Sequence, residues 1–158
     1  MHYFEDITVG EPAEIGTHTF TEDEMLRFAE KYDRQDYHLD PEAAKTGPFG
    51  GLIASGWYTG AVFQGFFARH LLKIADDLRR AGRPVARLGP SPGFTDLKWP
   101  RPVFAGDTVS FRTTVEKKRP LATRPGWGAV HFHNEGFNQK GELVYAFHGV
   151  TFIERRPA

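Results

Sequence analysis

The chain has no cysteine, which excludes disulfide staples, thiolate metal sites and cysteine nucleophiles. It has no surplus of either charge: twenty basic residues face twenty acidic ones, with histidines taken as neutral. No broad field therefore recruits nucleic acid or an anionic membrane, and an anionic ligand needs a local basic patch. Nor is there a long unbroken apolar run. The best candidate, 57–78, is interrupted by Gln64, Arg69, His70, Lys73, Asp76 and Asp77, whereas a membrane span needs roughly 20 predominantly apolar residues. Met1-His2-Tyr3-Phe4-Glu5-Asp6 lacks a basic segment followed by an apolar one, so no secretory signal is expected and a cytoplasmic location is. Phosphate loops, Gly-x-Ser-x-Gly elbows and His-Glu-x-x-His motifs are missing as well.

Phenylalanine, by contrast, is abundant. Fourteen in 158 residues imply a large apolar interior or interface, and the length suits one domain over 1–158. A turn at Val9-Gly10-Glu11-Pro12 precedes a strand expected over 13–20. Thr21-Glu22-Asp23-Glu24 is a capping box, after which Met25, Phe28, Ala29 and Tyr32 share one helical face until Asp33. Asp40-Pro41 opens a short helix, with Asp40 as N-cap, and Gly47-Pro48 ends it. A long helix follows over 56–80, apolar on nearly all sides of its first half and so expected to be enclosed by protein; Gly82 closes it. Strands are then expected over 94–99, 108–117, 127–138 and 143–154, the last two as a hairpin, with a loop over 119–126. Helices placed before a run of strands argue for α+β with an antiparallel sheet wrapped around the buried helix.

Two stretches carry chemistry. The first, Tyr32 to Pro41, holds Asp33 and His38 in a loop with structured flanks. A carboxylate and an imidazole gripping one water form a general acid–base unit near neutral pH, contributing about 10²–10⁴-fold. On spacing alone such a pair serves equally as an N-cap or turn former; the tethered flanks favour the chemical reading. In the second, Gly50-Gly51-Leu52-Ile53-Ala54-Ser55-Gly56 presents the Gly56 N–H at the positive end of the long helix. That donor can steady an oxygen gaining negative charge, worth roughly 3–4 kcal/mol, while the missing side chain leaves room for a carbonyl to approach. The plainer account is a turn into the helix. His131, His133 and His148 could share one sheet face, but no carboxylate or cysteine stands at ligand spacing and no metal site is expected. The basic clusters Arg79-Arg80 with Arg83 and Arg87, and Lys117-Lys118-Arg119, read as solvated faces.

Asp33-x-x-x-x-His38-Leu39-Asp40-Pro41-Glu42-Ala43-Ala44, then Phe49-Gly50-Gly51-Leu52-Ile53-Ala54-Ser55-Gly56, then Pro102-Val103-Phe104-Ala105-Gly106-Asp107-Thr108-Val109 together resemble the MaoC-like (R)-specific enoyl-CoA hydratases of the hotdog fold. The resemblance covers roughly 4–152. It implies a single hotdog domain paired as a homodimer or a higher homo-oligomer of dimers, and reversible addition of water to a trans-2-enoyl-CoA, giving a (R)-3-hydroxyacyl-CoA, or the reverse dehydration. No metal or redox cofactor is implied, coenzyme A being part of the substrate. By this likeness Asp33 and His38 hold the water and the Gly56 N–H holds the thioester oxygen. Ser55, Gly51, Trp57 and Gln64 complete the oxyanion and substrate contacts. The chain departs from the family's Asp-x-Asn-Pro-x-His, which here reads Asp33-Arg34-Gln35-Asp36-Tyr37-His38. Losing the proline removes a φ constraint between the two catalytic residues. The family's His-Gly is Ser55-Gly56, and a serine two turns on is Gln64. Two rival readings remain: a thioesterase on the same fold, and a non-catalytic acyl-CoA binding or regulatory module.

Overall fold

The computed structural model describes residues 1–157. After a 3-10 turn at Phe4–Asp6 come β1 (Pro12–Thr19), α1 (Glu22–Tyr32), α2 (Asp36–Leu39), α3 (Pro41–Thr46) and α4 (Gly56–Arg80). Four strands follow: β2 (Gly93–Lys98), β3 (Thr108–Pro120), β4 (Trp127–Phe137) and β5 (Leu143–Glu154). All pair antiparallel in one sheet of order β1-β3-β4-β5-β2, with α4 packed across it. This is the α+β hotdog arrangement expected from the sequence.

Local chemistry sets the boundaries. Thr21 Oγ1 accepts the Glu24 N–H at 3.4 Å and donates to Glu24 Oε2 at 2.9 Å, so Glu24 closes the box on the hydroxyl. Asp40 Oδ1 accepts from the N–H groups of Glu42 and Ala43 at 2.9 and 3.0 Å, starting α3 as expected. Beyond α4, Gly82 takes φ +65°, a left-handed conformation that lets Arg83 N–H return to Leu78 O at 2.9 Å. β3 runs past the expected end to Pro120, because Arg119 and Pro120 still pair with Ala129 and Gly128. Proline lacks a donor, and the strand stops there.

Along α4 the side chains of Thr59, Phe63, Phe67, Leu71, Ala75 and Leu78 form one buried stripe against the sheet. Phe63 is its anchor, 1% exposed, with ring centroids of Phe67, Phe111, Tyr145 and Phe147 at 5.1–5.9 Å. Phe63→Ala is expected to cost about 3–5 kcal/mol, most of it the cavity left among those rings. A melting temperature lowered by roughly 10 °C checks this. The expectation that protein encloses the first half of α4 holds for Tyr58, Val62, Phe63, Phe66 and Phe67 but not for Trp57, which is 58% exposed; further along, Leu72 is 61% exposed. One five-stranded sheet covers only one side of a helix. Tyr58, Val62, Phe66 and Ile74 pack half-buried against the same core, which leaves Trp57 and Leu72 as the large apolar side chains of α4 turned outward.

Candidate active site

The first site residue stands where α1 ends. Asp33 leaves helical geometry at φ −152°, ψ 72°, while its N–H still bonds Ala29 O. The segment expected to be a loop instead contains the single helical turn α2, whose N–H groups of His38 and Leu39 return to Gln35 O. That turn points the His38 ring inward, where it is 5% exposed. His38 Nδ1–H donates to the Ile53 carbonyl at 2.8 Å, so in the neutral ring Nε2 is bare. The accepting carbonyl is itself fixed: Ile53 N–H bonds Tyr37 O at 3.1 Å, Ala54 N–H bonds Val103 O at 2.8 Å, and Ile53 bridges to Phe104.

His38 Nε2 lies 3.5 Å from Asp33 Oδ2. Two lone pairs facing each other at that distance repel, and a water seated beside both, donating one proton to each, satisfies them. Both carboxylate oxygens are also held by the protein. Gln35 Nε2–H donates to Oδ1 at 2.9 Å and Ser55 O–H donates to Oδ2 at 2.7 Å. Tyr37 O–H in turn donates to Gln35 Oε1. Burial alone raises the Asp33 carboxyl, but the Gln35 and Ser55 hydrogen bonds, with His38 alongside, bring it below its ordinary value.

A depressed folded-state value means that the stability contributed by the Asp33 carboxylate is fully present above its unfolded value, about 3.9. It is lost only as pH falls through the lower folded value. A 13C titration of the Asp33 carboxyl is expected to show a midpoint below the ordinary aspartate value. In Ser55→Ala the midpoint should rise, because one ionised-form hydrogen bond is gone.

Ser55 also caps α4, accepting the Trp57 N–H at 3.2 Å, and thereby ties the helix start to the carboxylate. Among the described residues the Gly56 N–H has no hydrogen-bond partner. Gly56 lines the cleft of 360 Å³ that Asp33 and His38 also line, as do Tyr37, Trp57 and Trp99. The reason for a glycine here differs from the expected one. A Cβ at position 56 would stand 2.5 Å from Trp99 Cε2, and Trp99 Nε1–H donates to the Gly56 carbonyl at 3.0 Å. The vacant space is filled by an indole, not left open for a ligand.

Asp33, His38, Ser55, Gly56 and Trp57 therefore converge, and two expected residues do not. Gly51 packs toward the Phe104 ring, 3.5 Å from where its Cβ would be. Gln64 faces a separate apolar cavity further along α4. The sequence reading missed Gln35 as a ligand of Asp33, and missed Trp99 altogether. Arg101 places a cation at the cleft, held loosely by Glu142 at 3.6 Å. The histidine cluster does form on the face turned from α4: His133 and His148 stack at 4.7 Å and His148 Nδ1 meets Glu116 Oε2 at 2.8 Å. Among the described residues no group of three or more His, Asp or Glu is placed to hold a metal. Likewise, no helix among them is long and apolar enough to cross a membrane.

Against known families, the model described as MaoC like domain matches residues 6–128. The chain belongs to the MaoC-like domain family. A MaoC-like dehydratase from Rhodospirillum rubrum is 32% identical, with a TM-score of 0.79 and 100% of both chains covered. A monoamine oxidase regulatory protein from Archaeoglobus is 30% identical, with a TM-score of 0.81, covering 99% of this chain and 96% of that one. The uncharacterized protein YdeM of Bacillus subtilis is 36% identical over 58 residues, a match spanning 37% of this chain and only 41% of that relative. The MaoC-like sheet and helix thus occur both in a dehydratase and in a regulatory protein.

Proposed function

We propose that this MaoC-like protein is a hydro-lyase that adds water reversibly to a trans-2-enoyl-CoA, giving a (R)-3-hydroxyacyl-CoA. Family membership supports hydratase or dehydratase chemistry broadly. The observation that carries the finer reading is the convergence of a bare imidazole nitrogen, a fixed carboxylate and an unpaired helix N-terminal amide on one cleft.

Water sits beside both His38 Nε2 and Asp33 Oδ2, within bonding reach of each, and next to C3 of the bound thioester. His38 Nε2 takes one proton as the water oxygen bonds to C3. The C2–C3 π electrons move toward C2 and the thioester oxygen, which the Gly56 N–H stabilises in its enolate form. The imidazolium, adjacent to the Asp33 carboxylate, returns the proton to C2. One O–H bond and the C2–C3 π bond break, one C–O and one C–H bond form, and the enzyme ends as it began. Asp33, held to the ionised form by Gln35 and Ser55, suits the part of anchor and counter-charge better than that of base. Coenzyme A enters only as part of the substrate, and no metal or redox group takes part.

The test is direct: loss of the conjugated thioester absorbance when a short enoyl-CoA is added. No turnover across acyl groups of different length and branching overturns the proposal. Release of free thiol instead would assign a thioesterase, with water attacking C1. A regulatory reading draws on the likeness to the Archaeoglobus regulatory protein; it is favoured if acyl-CoA binds without reaction.

The functional unit is a homodimer in this reading. β2 lies at a sheet edge and is exposed at every position but Leu97, and Leu72 of α4 is 61% exposed. An open antiparallel edge is self-complementary about a two-fold axis, so a second copy of the chain is its natural cover. Light scattering that returns the mass of a monomer overturns this part.

A further inference from the structure

A second cavity, of 320 Å³, adjoins the cleft and is walled by Gly60, Ala61, Phe94, Leu97, Tyr145 and Phe147. Among the described residues only Trp57 and Trp99 line both spaces. The Trp99 indole is held in that partition from two sides. Its N–H donates to the Gly56 carbonyl at 3.0 Å, and its ring meets Trp57 edge-on, centroids 5.5 Å apart at 74°. Because position 56 has no side chain, the indole lies directly against the first turn of α4.

We infer that Trp99 is a specificity-determining residue, whose indole closes this apolar chamber to the acyl group and restricts the protein to short acyl chains. The inference rests on the proposed hydration site. Gly56, the oxyanion donor, and Gly60, on the chamber floor, are one helical turn apart, about 6 Å along α4. An acyl tail extended from a thioester seated at Gly56 is therefore aimed at the partition. Beyond it the walls are aromatic and aliphatic. The buried Tyr145 hydroxyl adds no charge, since burial pushes it up to about 12. An unbranched aliphatic tail of medium length is the occupant that chemistry fits, and Trp99 stands where it would enter.

The experiment compares wild type with Trp99→Ala, Trp99→Phe and the double variant Trp99→Ala/Ala61→Phe. Binding of butyryl-CoA and octanoyl-CoA is read by calorimetry, and hydration of the matching enoyl-CoAs by absorbance. Wild type should favour the short ligand. Trp99→Ala should raise the octanoyl-to-butyryl affinity ratio by at least about tenfold, the low end of what one methylene in an apolar pocket can be worth. Ala61→Phe, which refills the chamber from the helix side, should reverse most of that gain. Trp99→Phe, keeping bulk but losing the N–H anchor, should shift the ratio the same way by less, and it carries the test alone should Trp99→Ala not fold. An unchanged ratio in a folded variant, or an equal loss for both ligands, overturns the inference. Saturated thioesters bind without reacting, so the ratio is read even if wild type hydrates nothing; that failure would remove the proposed reaction alone.

Discussion

Asp33→Asn is expected to lower kcat by about 10²–10⁴-fold, the range over which positioned acid–base groups act. The substitution preserves shape and leaves Ser55 and Gln35 within reach of the side chain. It replaces a negative oxygen, 3.5 Å from His38 Nε2, with an uncharged amide. The water loses an acceptor and the imidazolium loses its counter-charge, both of which matter most in the transition state. Affinity for a saturated acyl-CoA should change little, so the loss appears in kcat rather than KM. Steady-state kinetics decide the matter, and a variant retaining full kcat removes Asp33 from the chemistry.

The second large effect concerns a backbone group that ordinary substitution cannot delete. Gly56 is the first residue of α4, a position where proline is tolerated because its N–H has no helical partner. Ser55 has φ −54° and ψ 135°, and that ψ is outside the α region, as the residue before proline requires. The obstacle is the Trp99 indole, 2.5 Å from where a Cβ would sit. Gly56→Pro should therefore be made in a Trp99→Ala background. Relative to Trp99→Ala alone, kcat should fall by about 10²–10³-fold, as when one oxyanion donor is lost. Unchanged circular dichroism would show the helix intact. Undiminished turnover would exclude this amide as the oxyanion donor.

The bounds of α4 are legible in the chain because the glycine-rich stretch ending at Gly56 and the later Gly82 bracket an otherwise continuous helical pattern. Asp33 and His38 are legible as a pair from residue type and flanking caps. What escapes depends on contacts that no local pattern carries. Ser55 reaches Asp33 across 22 residues, and Trp99 reaches Gly56 across 43. Gln35 reads as a mere departure from a family motif, because its grip on Asp33 exists only once α2 tightens the loop. Family likeness puts Gln64 in the site, yet eight residues of helix carry it about 12 Å from Gly56. Periodicity also shows α4 to be apolar on most faces, and periodicity cannot say whether the cover is the same chain or another.

The carbonyl that orients the His38 ring belongs to the main chain at Ile53, and the main chain at 53–54 is tethered through Tyr37, Val103 and Phe104. Which imidazole nitrogen keeps its proton is consequently independent of the side chain at 53. Drift there can reshape the cleft wall while the His38 ring keeps its orientation toward Asp33. The fold has separated the shape of the cleft from the setting of its imidazole.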